Sequence, residues 1–325
     1  MDEERIIEII AERLYRGENP LYPGDDAFAI DIDKGEYVFT CDQFIESVHF
    51  KKEYFTYREM AARSIYATVS DISAMGARPL YYAICLGLPE NINENIIIEI
   101  ADGLCEANDM LGINLIAGDT TKSHSVSFSV FCYGACEGRP LTRSGARPGD
   151  TVYITGLIGL SDVGLRVLSS FPDRKKAVED GWEMALERHI SPMPRVDVGL
   201  ALSHNEIATS CIDTSDSISI CLNHLSMSSK VGIEIDASSL PISDELVRYS
   251  SIIKNDVVEM ALSAGEDYEL IFTAPSKAKD EIESIASNLN VHITPVGIMF
   301  EGDGIYIKIG SKRKRIKPMG YSHFE

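Results

Sequence analysis

The sequence Leu115-Ile116-Ala117-Gly118-Asp119-Thr120-Thr121 is a short apolar run that ends in a glycine, a carboxylate and two hydroxyls. This pattern predicts a buried strand whose C-terminal end presents Asp119 into a crevice. The same arrangement recurs at 37–42, which ends in Asp42, and at 207–213, which ends in Asp213. The three runs predict a fold organised around strand ends that bring their aspartates together.

Further carboxylates accompany these three runs, namely Asp25-Asp26 and Asp71. A single aspartate after a strand is often a turn former or a helix N-cap. A group of five such sites is different, because two carboxylates 4 Å apart repel each other by roughly 4 kcal/mol at an effective dielectric near 20. Such a cluster needs protonated members or bound cations. Hard divalent cations suit oxygen ligands, and Mg²⁺ usually binds together with phosphate.

The length and charge of the chain narrow the classes of protein to consider. Its 325 residues predict two domains, and 45% hydrophobic and 25% charged residues are typical of a globular protein. The net charge of −20 argues against nucleic acid or an anionic membrane as a partner, since both need basic surfaces. The one basic run, 312–315, is predicted to be a solvated strand or turn. No apolar run approaches the roughly 18 residues that a membrane span needs.

The cysteine pattern indicates the compartment. There are seven cysteines, an odd number, and they form no CxxC pair, so neither a disulfide scaffold nor a zinc site is indicated. Their positions inside apolar runs predict buried free thiols in a reducing environment. The N-terminus is acidic, unlike a signal peptide. We therefore expect a cytoplasmic protein.

The predicted elements mix adjacent strands with long helices. Helices are predicted at 2–15, 56–75, 92–111, from about 160, 175–189, 195–205, 216–227, 243–262 and 276–289. Strands are predicted at 27–32, 36–42, 80–88, 113–117, 125–135, 151–155, 207–213, 231–236, 268–273, 292–299 and 304–309. This order predicts an α+β fold of two α/β domains, 1–145 and 146–325, with a polar hinge at 143–150.

The usual lysine-based phosphate motifs are absent from the sequence. There is no Walker A motif, no GxGxxG after a strand and no protein-kinase catalytic loop. Any phosphate chemistry of this chain must therefore depend on metal held by carboxylates.

An ordered series of motifs resembles a known family. The series is Gly24-Asp25-Asp26, Thr40-Cys41-Asp42, His49-Phe50, 70–77, Gly118-Asp119-Thr120-Thr121, 143–146, Asp213-Thr214-Ser215-Asp216, 265–270 and 320–324. Its members are moderately specific one by one and highly specific as an ordered set. From about residue 20 to the C-terminus, the chain resembles the thiamine-monophosphate kinase family of the aminoimidazole-ribonucleotide-synthetase-like superfamily.

The resemblance implies a reaction and an assembly. The implied reaction is ATP- and Mg²⁺-dependent transfer of the γ-phosphoryl group onto thiamine monophosphate, which gives thiamine diphosphate. The implied fold has an N-terminal domain, 1–145, which binds ATP and metal and whose strands form a sheet or barrel across a homodimer. A C-terminal α/β domain, 146–325, completes the fold.

The resemblance also implies roles for individual residues. The positions implied to bind several Mg²⁺ ions are Asp26, Thr40, Cys41, Asp42, Asp71, Asp119, Asp213 and Asp216. Those implied to bind ATP are Gly118, Asp119, Arg143 and Ser215, and those implied to bind thiamine monophosphate are His49, Glu266 and Tyr321. The aspartates implied to be essential for catalysis are Asp42, Asp71, Asp119 and Asp213. The chain departs from the family pattern at Ala117, Cys41, Ser217 and Tyr321, where glycine, threonine, glycine and tryptophan are usual.

Two alternatives remain at this stage. The chain could be another ATP-dependent synthetase of the same superfamily, of the purine or selenophosphate type. The selenophosphate type is disfavoured because no cysteine precedes Cys41 and no lysine precedes Lys34. The chain could also be a non-enzymatic acidic protein that binds divalent cations and does not turn over ATP.

Overall fold

The chain forms two compact units. The computed structural model describes residues 3–14, 34–170 and 173–320. The first unit comprises Met1–Ile72 and Arg78–Ala135, and the second comprises Ser73–Ala77 and Cys136–Glu325. The binding of ATP and metal and the dimerisation expected of the N-terminal domain remain predictions. Within the described ranges, no helix is both long and apolar enough to cross a membrane.

The first unit contains one sheet and the helices that cover it. Its elements are α1 (Glu3–Leu14), β1 (Tyr37–Ile45), α2 (Tyr57–Ala74), β2 (Ala77–Leu88), α3 (Glu94–Leu111), β3 (Asn114–Lys122) and β4 (Ser127–Cys136). The Asn93 side chain caps α3 by accepting from Ile96 N, and Gly112, with φ 64°, ends it. The predicted strand at 27–32 lies outside the described residues.

The four strands of this sheet have the order β1-β4-β2-β3. Strands β1 and β4 are antiparallel, whereas β2 and β3 are parallel. Side chains alternate across β1, so Thr40 and Asp42 lie on one face, opposite the buried Cys132 and Val130 of β4. Helix α2 packs on this face, since a Cβ on Gly134 of β4 would lie 2.7 Å from the Ile72 side chain. The inner face of β1 therefore points toward α2.

The prediction that Asp42 and Asp119 end their strands is wrong. Strand β1 continues to Ile45, and β3 continues to Lys122. The reason is pairing across the sheet: Gln43 lies opposite Ser129, and Thr120 lies opposite Leu86. The polar residues after each aspartate therefore belong to the ladder, because strand pairing satisfies their backbone groups without requiring apolar side chains.

The second unit contains a seven-stranded sheet with the order β11-β10-β7-β9-β5-β8-β6. Its strands are β5 (Asp150–Thr155), β6 (Ser210–Asp213), β7 (Gly232–Asp236), β8 (Leu270–Pro275), β9 (Ile293–Phe300), β10 (Ile305–Ile309) and β11 (Lys312–Ile316). Its helices are α4 (Leu160–Ser170), α5 (Arg174–Glu179), α6 (Glu183–Ile190), α7 (Val196–His204), α8 (Ile218–Ser229), α9 (Asp244–Ile253), α10 (Val257–Ser263) and α11 (Lys279–Leu289). Only the β10–β7 pair is parallel among the pairs of this sheet in the described part of the chain.

The core of the second unit lies between this sheet and its helices. Tyr153 and Phe272 stack with ring centroids 5.2 Å apart, and Leu202 packs into the same cluster. The helix predicted at 175–189 is two helices, because Gly181 adopts φ 79° between them. The basic run 312–315 is an exposed edge strand, as one of the two predicted options states. The predicted α+β class is confirmed.

Candidate functional site

Three of the predicted metal ligands lie together in the first unit. The Thr40 hydroxyl on β1 donates to Asp71 Oδ2 on α2 over 2.6 Å. Asp42 lies two residues further along the same face of β1 and interacts electrostatically with Asp71. The small side chains of α2 explain the approach, since Ser70 and Ser73 are fully buried. The strand and helix thus bring Thr40, Asp42 and Asp71 together, as the sequence predicts.

The electrostatics of this pair is unfavourable without a cation. Burial, together with the negative charge of Asp71, raises the pKa of the Asp42 carboxyl to about 6. The same two carboxylates add to the effect of burial on Cys132, whose thiol pKa rises to about 12. The face of the sheet under α2 therefore carries negative charge that a bound cation would neutralise.

The chemistry of these donors fits Mg²⁺. Within residues 3–14, 34–170 and 173–320, no group of three or more histidine, cysteine or acidic side chains is close enough to hold a metal ion. Asp42, Asp71 and the Thr40 hydroxyl nevertheless supply the hard oxygen donors that Mg²⁺ prefers, and one or two protein carboxylates with substrate phosphates and waters are its usual coordination. The site matches a cation that binds together with a nucleotide.

His49 lies in a tight turn after β1. Its Nδ1 accepts a hydrogen bond from Ile45 N over 3.1 Å, and its ring meets Phe44 edge to face at 5.7 Å. The turn is closed by Ser47 N donating to Phe50 O over 2.7 Å, with Ser47 at φ 72°. Because Nδ1 is an acceptor, the neutral imidazole carries its proton on Nε2. The turn thus fixes the position of the ring.

Asp119 and Gly118 do not join Asp42 within one chain. Strands β1 and β3 are the two edges of the sheet, three strand spacings or roughly 14 Å apart. Asp119 is exposed and lies opposite Cys85, which alternates with the buried Ile84 and Leu86. Asp119 therefore faces away from the helices. The predicted meeting of Asp42 and Asp119 therefore does not occur within the sheet of one chain, because β4 and β2 lie between β1 and β3.

A second group of predicted residues lies in the second unit. Asp213 ends β6 and is 2% exposed, and the Ser215 hydroxyl donates to its Oδ1 over 3.1 Å. Asp216 follows at the surface. Burial raises the pKa of the Cys221 thiol well above its usual value, with Asp213 and Asp216 adding to the rise and Arg143 opposing it. These charges therefore share one neighbourhood around the start of α8.

Glu266 lies on a loop bonded to this group. Its backbone N donates to Ser215 O over 3.0 Å, and Thr214 N donates to Glu269 O over 2.8 Å. Glu266 adopts φ 60°, and its side chain remains 35% exposed. The loop that carries Glu266 and the loop that carries Ser215 are thus one connected structure.

Two departures from the family pattern have structural explanations. Cys41 is exposed and alternates with Thr40 and Asp42, so its thiol points away from the face with Asp71. Ser217 caps α8 by accepting from Ile220 N over 3.2 Å at φ −62°, a conformation that does not require glycine. Asp26 and Tyr321, predicted to bind metal and thiamine monophosphate, lie outside the described residues.

The second unit contains a buried ionic network that was not predicted from the sequence. Glu269 is fully buried and contacts both Arg188 and Arg195, and Asp267 is fully buried beside the start of α4. Burial raises the pKa of Glu269, but the opposing effect of Arg195 and Arg188 is larger, and the net pKa is lowered. The signal that could have indicated burial is the position of Asp267 and Glu269, which lie just before the apolar strand β8.

Both units match one family of proteins. Residues 24–136 match the AIR synthase related protein N-terminal domain, and residues 147–310 match the AIR synthase related protein C-terminal domain. The chain is therefore built from the two domains that define AIR synthase related proteins, and the predicted superfamily fold is confirmed.

Individual relatives narrow the family further. The thiamine-monophosphate kinase of Aquifex aeolicus is 31% identical over 303 residues, which cover 93% of this chain and 92% of that protein. The crystal structure of thiamine-monophosphate kinase from Stenotrophomonas maltophilia is 32% identical, covers 95% of this chain and 97% of that chain, and superposes with a TM-score of 0.83. The structure of AaThiL complexed with AMPPCP and TMP is 30% identical in sequence and gives a TM-score of 0.79. The match covers 99% of this chain and 97% of that chain. The chain belongs to the thiamine-monophosphate kinase family.

Proposed function

We propose that this chain phosphorylates thiamine monophosphate to thiamine diphosphate by direct transfer of the γ-phosphoryl group of ATP, assisted by Mg²⁺. The observation that carries the proposal is the match to thiamine-monophosphate kinases over 93% of the chain. A related chain of known structure was solved with AMPPCP and TMP, which supports a nucleotide donor and a phosphate acceptor.

The acidic groups suit a reaction between two phosphates. Asp42, Asp71 and Thr40 would hold Mg²⁺ in the first unit, and Asp213 and Asp216 are candidates in the second, with Asp26 and Cys41 as further predicted positions. Bound Mg²⁺ neutralises phosphate charge and lets donor and acceptor approach in line. The pKa of about 6 at Asp42 supports this role, because a site that disfavours its own charge gains most from a cation.

The acceptor does not require a general base. A phosphate monoester has its second pKa near 6, so its attacking oxygen is ionised at neutral pH. The residues of the chain then have positioning roles. The Glu266 carboxylate would face the cationic thiazolium ring of thiamine, and His49 would contact the same substrate. Arg143 would contact nucleotide phosphates as a planar donor, beside Ser215, Gly118 and Asp119.

The same proposal includes a homodimer. The outer face of the first sheet exposes aromatic side chains: Phe39 is 67% exposed and stacks on Phe131 with centroids 6.4 Å apart. Both sheet edges, β1 and β3, end the ladder of a single chain. If the sheets of two copies close into the predicted barrel, each β3 edge would pair with the β1 edge of the other copy. The barrel would enclose the aromatic faces and bring Asp119 of one copy to the edge that carries Asp42 of the other. Phe39→Asp should then convert a dimer into a monomer in light scattering, whereas Gln43→Glu on the same exposed face should be milder.

An acceptor panel tests the proposed function. Purified protein is incubated with ATP and MgCl₂ and with thiamine, thiamine monophosphate or formylglycinamidine ribonucleotide, and ADP is measured. We expect ADP release with thiamine monophosphate alone. Release with the ribonucleotide would instead support a purine-type synthetase. Mg²⁺ binding without ADP release from any acceptor would support the non-enzymatic alternative. The seven free cysteines and the use of ATP are compatible with the expected cytoplasmic location.

A further inference from the structure

The segment Gly265–Glu269 carries three acidic side chains that have different surroundings. Glu266 is 35% exposed, whereas Asp267 and Glu269 are both 0% exposed. Glu266 and Tyr268 have positive φ values of 60° and 53°, which are unfavourable for residues other than glycine. A conformation of this kind persists only where the surrounding structure enforces it. The two buried acids are the groups that can supply that constraint.

Glu269 is held by an unusually complete set of donors. Arg195 donates from Nε to Oε2 and from Nη2 to Oε1, each over 2.6 Å, so the pair is bidentate. Arg188 donates to Oε1 over 2.5 Å, and the Thr155 hydroxyl donates to Oε2 over 2.6 Å. Gly156 leaves the space for this carboxylate, because a Cβ there would overlap it. Four hydrogen bonds therefore fix the end of the segment.

Asp267 fixes the middle of the segment. Its Oδ2 accepts from Gly159 N over 2.6 Å and its Oδ1 from Ser161 N over 2.8 Å, at the start of α4. Arg188, which already contacts Glu269, also donates to the Asp267 carbonyl over 3.1 Å. One arginine thus contacts both buried acidic residues, and Glu266 is the next residue before them.

We propose that Glu269, through its fork with Arg195 and its bond to Arg188, is a positioning residue that holds Glu266 at the angle needed to bind thiamine monophosphate. The inference rests on the proposed function, in which Glu266 faces the thiazolium cation. A buried ion pair contributes little net stability, because desolvation offsets the attraction, but its geometry is fixed. The network accordingly acts on the orientation of Glu266 rather than on the chemical step.

Arg195→Lys is the variant that tests this role most gently. Lysine keeps the positive charge next to Glu269 but cannot form the two-pronged contact. We expect KM for thiamine monophosphate to rise about tenfold, while kcat and KM for ATP change by less than about threefold. Arg166→Lys is the matched control, since Arg166 forms an exposed pair with Asp162 on α4 and should leave all three constants unchanged.

A double-mutant cycle with Glu266→Gln separates positioning from a general effect on folding. If Arg195 acts through Glu266, then adding Arg195→Lys to Glu266→Gln should raise KM for thiamine monophosphate by less than about twofold. An equal rise in both backgrounds, or a parallel rise in KM for ATP, would overturn the inference. The midpoint of urea unfolding is measured for each variant, so that loss of folded protein is not mistaken for loss of binding.

A milder pair of variants covers the case in which Arg195→Lys does not fold. Thr155→Val removes the hydroxyl that donates to Glu269, and Thr155→Ser keeps it. Thr155→Val should raise KM for thiamine monophosphate and Thr155→Ser should restore it; equal constants for the two would contradict the inference. Wild-type protein that does not phosphorylate thiamine monophosphate would refute the proposed function itself, whereas active wild type with an additive cycle would refute only the role of Glu269.

Discussion

Replacing Asp42 with asparagine should make the metal-free protein more stable and the enzyme inactive. Burial and the charge of Asp71 raise the pKa of Asp42 to about 6, against an ordinary value of 3.8 for an aspartate. The folded state therefore binds this proton more tightly than the unfolded state does. The contribution of Asp42 to the free energy of unfolding is therefore greatest below pH 4, falls as the pH rises toward 6, and stays lower above that value. Asparagine removes this cost because it has no proton to lose.

The expected gain in the free energy of unfolding can be calculated from the rise in the pKa of Asp42. A rise in pKa from 3.8 to about 6 corresponds to at most about 3 kcal/mol, and partial exposure of Asp42 reduces this to about 1–2 kcal/mol. In EDTA at pH 7.5, Asp42→Asn should raise the free energy of unfolding by that amount, and the difference should disappear near pH 4. Asp109→Asn, an exposed carboxylate on α3, is the control and should change stability by less than about 0.5 kcal/mol.

Urea unfolding with and without Mg²⁺ is the assay, together with turnover. Added Mg²⁺ should stabilise the wild type and not the variant, because ligand binding to the native state raises stability. Turnover should fall by more than about a hundredfold, since groups that merely support metal ligands already cost about 10–100-fold. If the variant is less stable than the wild type at pH 7.5 in EDTA, the charge of Asp42 does not destabilise the metal-free protein. If the variant retains turnover, Asp42 is not an essential ligand of Mg²⁺.

Substitutions at three further positions have clear expectations. Cys41→Thr should leave turnover within about twofold in a steady-state assay, because side-chain alternation turns residue 41 away from Asp71; a gain above tenfold would contradict this. Ser217→Ala should lower the urea midpoint by the equivalent of about 1 kcal/mol and Ser217→Gly by only a few tenths, because the hydroxyl caps α8 and glycine is tolerated at N-caps; equal losses would contradict the capping role. Asp267→Ala should lower the free energy of unfolding by about 2 kcal/mol, because it removes two hydrogen bonds at the start of α4. An unchanged urea midpoint would contradict this expectation.

The pairing of Asp42 with Asp71 was largely predictable from sequence. An aspartate in an apolar strand and another in a helix of small residues both need compensation, and their burial follows from local pattern. The separation of Asp119 from Asp42 was not predictable in this way. It depends on β4 and β2 lying between β1 and β3, and strand order is set by contacts between distant segments that periodicity does not encode.

The roles of Asp267 and Glu269 were missed for a related reason. Charged residues are almost never fully buried unless they are paired, so a sequence reading assigns them to the surface. Their partners lie far away in the chain: Arg188 and Arg195 neutralise Glu269, and Gly159 and Ser161 bond to Asp267. The break between α5 and α6 at Gly181 was missed as well. The helical periodicity of the sequence continues through this glycine, whereas the folded backbone turns there.

The most direct test of the account is to mix the purified protein with ATP, MgCl₂ and thiamine monophosphate and to separate the thiamine species by chromatography. We expect thiamine diphosphate to appear only when Mg²⁺ is present and in amounts equal to the ADP formed. ADP without thiamine diphosphate, or neither product from folded protein that still binds Mg²⁺, would contradict it.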